Sequence, residues 1–178
     1  MNKMNITWIG ANLISLLLVG CLIAASRLAL AQAAPSAAEM VEQLTAKPAP
    51  RTRSLRNLSV EAVEQTKPSL SLLIQFDFNS ARVLPESQQA LINLAQAMQS
   101  KELANVKFAV EGHTDAKGRA DYNLKLSEQR ANAVSAVLAS HGVTSARLAA
   151  VGKGATEPAN AADPLAAENR RVRIVNLN

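Results

Sequence analysis

The stretch Val106-Lys107-Phe108-Ala109-Val110-Glu111-Gly112-His113-Thr114-Asp115-Ala116-Lys117-Gly118, with the residues 121–140 that follow (DYNLKLSEQRANAVSAVLAS), decides the fold. Val106 to Val110 alternates as a half-buried strand and ends at Gly112. Residues 121–140 repeat with helical period and stop at Gly142, a residue type expected just past a helix end. Between them, Asp115-x-x-Gly118 fits a turn. A strand, a loop and a long amphipathic helix make most of a strand-helix-strand unit.

Working outward, Leu70 to Phe78 is apolar-rich and closed by Asn79-Ser80, which predicts another strand. Glu86 to Ser100 reads as a helix with Leu91, Leu94, Ala95 and Met98 on one stripe, and Pro85 at its tolerant first turn. Downstream, Arg147 to Val151 is a short strand, residues 152–168 a polar loop, and Arg171 to Leu177 alternates again. The order strand-helix-strand-helix-strand-strand predicts an α/β (α+β) two-layer sandwich, with helices over one mixed sheet. About 110 residues suffice for one core.

The N-terminal residues differ in kind. Lys3, the apolar run Leu13 to Ala25 and the small residues around Ala29-Leu30-Ala31 predict an export signal over residues 1–31. Leu18-Val19-Gly20-Cys21 also fits a lipobox, which makes Cys21 a candidate for lipidation. An uncleaved membrane anchor is the third reading, although the run is short for a span and Arg27 interrupts it. All three place the rest of the chain outside the cytoplasm. Residues 32–69 read as a linker with one short helix, Ser36 to Thr45, ended by Lys47-Pro48-Ala49-Pro50. Arg51, Arg53 and Arg56 then read as a solvated basic tether, or as a contact for anionic lipid or polymer. Residues 70–178 are the folded domain. The 35 or so residues before it are too few for a transmembrane barrel of about eight strands.

Composition excludes several functions. Of 178 residues, 19 are Lys or Arg and 14 are Asp or Glu. Setting aside Lys3 and Arg27 leaves 17 basic residues against 14 acidic ones, too slight an excess for phosphate-backbone binding. Three Phe, one Tyr and one Trp are too few for a base-stacking platform, so no nucleic acid is expected as a partner. One cysteine excludes an internal disulfide framework and a Cys-rich zinc site; with two histidines, neither metal nor cofactor is expected. A glycosidase needs two carboxylates set across a bond. Glu111 and Asp115 are near in sequence, but Glu111 lies on the strand as a framework residue. Gly152-Lys153-Gly154 lacks P-loop spacing. The chain therefore reads as no enzyme, and His113 as structural.

The second helix carries the clue to function. At about 100° per residue with Leu126 at zero, Tyr122 falls at about −40°, Ala133 at about −20° and Val137 at about +20°. Arg130 falls at about +40°, inside that apolar arc. A buried arginine needs a partner, because losing its hydration is costly. Either it pairs internally, with Asp115 as the candidate, or it faces a cleft that a ligand carboxylate enters. An acid and a guanidinium across one cleft suit a zwitterion.

These residues carry a family resemblance. Ile74-x-Phe76-x-x-Asn79-Ser80-Ala81, Val110-Glu111-Gly112-His113-Thr114-Asp115-x-x-Gly118, Tyr122-Asn123-x-x-Leu126-Ser127-x-x-Arg130-Ala131-x-x-Val134, Gly152-x-Gly154-x-x-x-Pro158 and Asn169-Arg170-Arg171-Val172 stand in order. Residues 70–178 resemble the OmpA-like C-terminal domain, found in outer-membrane proteins, Pal-type lipoproteins and flagellar stators of Gram-negative bacteria. The resemblance implies non-covalent binding of peptidoglycan through the diaminopimelate of its stem peptide. It implies that Asp115 binds the ammonium and Arg130 the carboxylate. Asp77, Phe78, Asn79, Thr114, Leu126, Asn169 and Arg170 are weaker candidates for the same site. By strand alternation, at most one of Arg170 and Arg171 faces it. The implied setting is the outer membrane or periplasm, reached directly or through a partner. A membrane-anchored, stator-like protein with the same wall-binding domain is the alternative. Oligomeric state is left open. Two positions depart from the family: Arg173 where an acid is common, and Lys153 where an aromatic is common. Both make their neighbourhood more basic.

Overall fold

The computed structural model describes residues 34–45 and 67–178. The expected leader, Cys21, and the stretch carrying Arg51, Arg53 and Arg56 lie outside the described residues. In chain order the elements are α1 (Ala37–Thr45), β1 (Ser69–Leu72), α2 (Gln88–Met98), β2 (Phe108–His113), α3 (Ala120–Ser140), β3 (Leu148–Gly154) and β4 (Val172–Asn176). The strands form one sheet in the order β1-β4-β2-β3. β2 and β3 run parallel, while β4 is antiparallel to both β1 and β2. The mixed sheet with helices on one face is the α+β two-layer sandwich expected.

β2 is the axis of the domain. Its alternate residues Phe108 and Val110 enter the core, where they meet Leu91, Leu94 and Met98 of α2, Val134 and Leu138 of α3, and Ile174 of β4. α1 belongs to the same compact unit. Ser36 and Glu39 close its first turn reciprocally: the Ser36 N–H donates to Glu39 Oε2 (2.7 Å) and the Glu39 N–H to Ser36 Oγ (3.3 Å). Met40 and Leu44 are fully buried. Asn176 Nδ2 donates to the Leu44 carbonyl (3.0 Å), and Asn93 Nδ2 to the Pro35 carbonyl (2.8 Å).

The first strand is shorter than the expected 70–78. The chain turns after Leu72, with the Ile74 N–H donating to the Leu72 carbonyl (3.1 Å). Residues 75–77 then pair with 82–84 in a small hairpin rather than continuing along β4: Phe76 bridges Val83, and the Leu84 N–H donates to the Gln75 carbonyl (2.9 Å). Asn79, at a φ of 53°, makes its turn. Asp77, Phe78 and Asn79 therefore sit on a hairpin tip, not at a strand end.

The buried face of α3 also differs from the apolar arc. Asn123, Leu126, Ser127, Ala131, Val134 and Leu138 are buried, while Tyr122 is 45% exposed. On the same wheel the buried arc runs from about 0° to about 140°, which leaves Tyr122 outside. The cause is close approach. A Cβ on Gly112 would lie 2.1 Å from the Ser127 carbonyl oxygen, and one on Gly152 would lie 2.7 Å from the Leu124 carbonyl oxygen. Small residues let α3 settle onto β2 and β3 here, and small residues count little in a hydrophobic pattern.

Candidate functional site

One edge of the buried face of α3 meets the 75–84 hairpin and the loop after β2. Arg130 is half-buried between them. Its Nε donates to the Ser80 carbonyl (3.0 Å), and its guanidinium stacks 4.7 Å from the centre of the Phe76 ring. About two turns nearer the helix start, the Tyr122 hydroxyl donates to Asn79 Oδ1. Both contacts tie the hairpin tip to the helix. Burial is the main effect on the Arg130 guanidinium and lowers its pKa; Tyr122 raises it, Arg170 lowers it and Asp115 raises it.

Asp115 does not pair with Arg130, which corrects the internal bridge considered from the wheel. Its Oδ2 accepts Arg170 Nη1 at 2.8 Å, and its Oδ1 accepts the Lys117 N–H at 3.1 Å. Asn123, buried on α3, holds the loop beneath by donating Nδ2 to the Asp115 carbonyl (3.3 Å) and the Lys117 carbonyl (3.0 Å). Arg171, which like Arg170 precedes β4, turns the other way, donating Nη2 to the Glu157 carbonyl (3.1 Å). Arg170 thus holds Asp115, while Arg130 is held by the hairpin and has no carboxylate within ion-pair distance among the described residues.

The weaker candidates divide. Phe78 is 100% exposed at the hairpin tip, and Asn79 receives the Tyr122 hydroxyl. Asp77 is paired with Arg82 across the hairpin. Three others are buried. Asn169 is wholly buried, its amide spent on Asn160 and Asp163 carbonyls, so it braces the 152–168 loop. Thr114 is buried and its N–H is committed to the Gly154 carbonyl (2.9 Å). Leu126 is buried against the sheet side of α3. Tyr122, Asn123 and Phe76 were missed as site residues. Asn123, polar within the helix beside Leu126, was the available sign.

The two basic departures lie on the sheet face away from α3. Lys153 Nζ stands 3.7 Å from Glu111 Oε1 and 2.7 Å from Glu157 Oε1. Arg173 Nη1 stands 3.6 Å from Glu111 Oε2 and 3.8 Å from Glu157 Oε2. Two cations and two carboxylates thus close a ring. The Lys153 hydrogen bond holds the Glu157 carboxyl below its usual range. His113 is buried beside this ring, 3.9 Å from Glu111 Oε2, and neither ring nitrogen has a hydrogen-bond partner among the described residues.

At its rim the two-layer domain thus carries the Asp115–Arg170 ion pair and a half-buried guanidinium, Arg130, held by the hairpin. Residues 75–172 match the OmpA family, and the chain belongs to it. It is 42% identical over 104 residues to outer membrane porin F of Pseudomonas aeruginosa, covering 58% of this chain and 29% of that protein. It is 36% identical over 108 residues to the outer-membrane lipoprotein YfiB of the same species, covering 60% and 63%. The chain thus spans less than two thirds of either relative. Among solved structures, the peptidoglycan-associated lipoprotein of Burkholderia pseudomallei is similar, with a TM-score of 0.50, 34% identity, and 60% of this chain and 88% of that one covered.

Proposed function

We propose that this chain is an exported, non-catalytic peptidoglycan-binding protein of the Gram-negative outer membrane or periplasm. Asp115 takes the ammonium, and Arg130 the carboxylate, of the diaminopimelate in a stem peptide. The observation that carries this reading is Arg130: a half-buried guanidinium, fixed by the Ser80 carbonyl and the Phe76 ring, that has no carboxylate within ion-pair distance among the described residues, so it is one anion short. A bidentate carboxylate supplies that anion in the geometry a guanidinium prefers. Family membership and the names of an outer-membrane lipoprotein and a peptidoglycan-associated lipoprotein among its relatives support the same ligand and place. Residues 1–31 serve export; lipid on Cys21, an uncleaved leader or a protein partner supplies any membrane attachment.

The test is co-sedimentation of the full chain, in mild detergent, with isolated sacculi, beside Asp115→Ala and Arg130→Ala. Removing one member of a desolvated charged contact costs about 2–5 kcal/mol, so both variants should stay in the supernatant while the parent pellets. A folded parent that stays soluble sinks the reading. Variants that pellet like the parent sink the site.

A further inference from the structure

On the sheet face away from α3, three side chains bury polar atoms that have no hydrogen-bond partner among the described residues: Arg171 Nη1, both ring nitrogens of His113, and Glu111 Oε2. Arg171 and His113 stand side by side, with the His113 N–H on the Arg171 carbonyl (2.9 Å). Arg171 is 9% exposed and the His113 side chain 1%. The 152–168 loop is tied to them through the Glu157 carbonyl, which takes Arg171 Nη2. No carboxylate lies within ion-pair distance of the Arg171 guanidinium among the described residues, because Glu111 and Glu157 face Lys153 and Arg173 instead. Three cations thus share two carboxylates, and the deepest of the three is the one left over. Burial first, then the charge of Arg173, lower the Arg171 pKa, while Glu157 and Glu111 raise it.

We propose that Arg171 and His113 form a binding site for one small monovalent anion of the chloride class. A water would answer the free N–H of Arg171 but not its charge, and a guanidinium taken out of water needs both answered. An anion at Nη1 does so. The imidazole is the second donor: its Nε2 looks toward Glu111 Oε2 at 3.9 Å, which leaves Nδ1 for the anion. Glu111 also limits the charge the site accepts, since a dianion beside a buried carboxylate meets repulsion that one spare positive charge does not offset. A proton on His113 strengthens the arrangement, because the imidazolium then stands between Glu111 and the anion. Arg171, Arg173 and Lys153 oppose that proton and Glu157 favours it; a bound anion shifts the balance toward it. The site lies across the sheet from Arg130 and is independent of what Arg130 binds.

The experiment follows urea unfolding of the full chain, in mild detergent, as sodium chloride replaces sodium gluconate at constant ionic strength. Chloride that binds only the folded chain lowers the unfolding constant, by about tenfold once it reaches about ten times its Kd. The parent should show this fall, and Arg171→Gln should stay within about twofold over the same range. Chloride affinity of the parent should also be about threefold or more higher at about pH 5.5 than at about pH 8, because the anion and the His113 proton favour each other. His113→Gln should lose that gain in acid. A parent indifferent to chloride, or a chloride effect that Arg171→Gln keeps in full, overturns the site. Should Arg171→Gln not fold, the acid arm decides: an affinity equal at both pH values, or a gain that His113→Gln retains, overturns it as well.

Discussion

A methyl group at Gly112 would stand 2.1 Å from the carbonyl oxygen of Ser127, so β2 and α3 touch backbone to backbone at this point. No flexible side chain can yield there. Gly112→Ala should destabilise the domain by about 3 kcal/mol, at the upper end of ordinary overpacking, read from the urea midpoint. It should also weaken sacculus binding under conditions where the variant is still folded, because the same helix sets the height of Arg130 above Phe76. A variant of parental stability would show that the two backbones can part freely.

Arg130 should not tolerate lysine. Its Nε bond to the Ser80 carbonyl and its stacking on Phe76 fix the guanidinium plane before any ligand arrives. A lysine keeps the charge but loses the fork and the planar stack. Arg130→Lys should therefore lose most sacculus binding, close to Arg130→Ala, with stability changed by about 1 kcal/mol or less. Binding near the parental level would mean that charge alone suffices.

The wheel found Arg130 because a charged residue in an apolar arc is a conflict visible in one dimension. It misplaced the arc because Ser127 and Ala131 are buried for their smallness, not their hydrophobicity. Asp115 was legible as a turn acid near a helix start, but its partner was not. Arg170 lies 55 positions away, and only the β4-β2 pairing brings the two together. The hairpin that carries Asp77 to Asn79 was hidden for a similar reason. The apolar run before it reads as one strand, whereas the turn at Asn79 lets it pair with its own continuation.

Lys153 and Arg173 belong to the ring around Glu111 and Glu157, on the face opposite Arg130. Lys153→Ala and Arg173→Ala should leave sacculus binding within about twofold of the parent. Each should cost about 0.2–1 kcal/mol, the range of partly exposed ion pairs. Glu111→Gln should cost more, because Glu111 is buried and faces both cations. Denaturant midpoints and a sedimentation assay check the set together. Loss of wall binding in either lysine or arginine variant would move these residues into the site.

α1 should behave as core. Met40 and Leu44 are fully buried, and the Leu44 carbonyl accepts Asn176 from β4. Leu44→Ala should cost about 2–5 kcal/mol, as large-to-small core changes do. Thermal or urea unfolding of the full chain, followed through the folded domain, checks it. A loss under about 0.5 kcal/mol, the scale of an ordinary surface change, would mean that the helix merely rests on the sheet.

His113 should make stability depend on pH. Burial first, and then the charges of Arg171, Arg173 and Lys153, lower its pKa from 6.5 to about 4, with Glu157 opposing them. The folded value lies below the unfolded one, so the unfolded chain takes up the proton first as pH falls. This contribution is complete above pH 6.5, is lost as pH drops toward about 4, and levels off below it. The loss approaches about 3 kcal/mol at roughly 1.4 kcal/mol per pH unit. Urea midpoints of the parent should fall between pH 7 and pH 4.5, and His113→Gln should show a shallower fall over the same interval. Carboxylates that titrate below pH 5 are common to both proteins, so the difference between the two curves isolates the imidazole. Parallel curves would place its proton uptake elsewhere and leave the burial of His113 without electrostatic consequence.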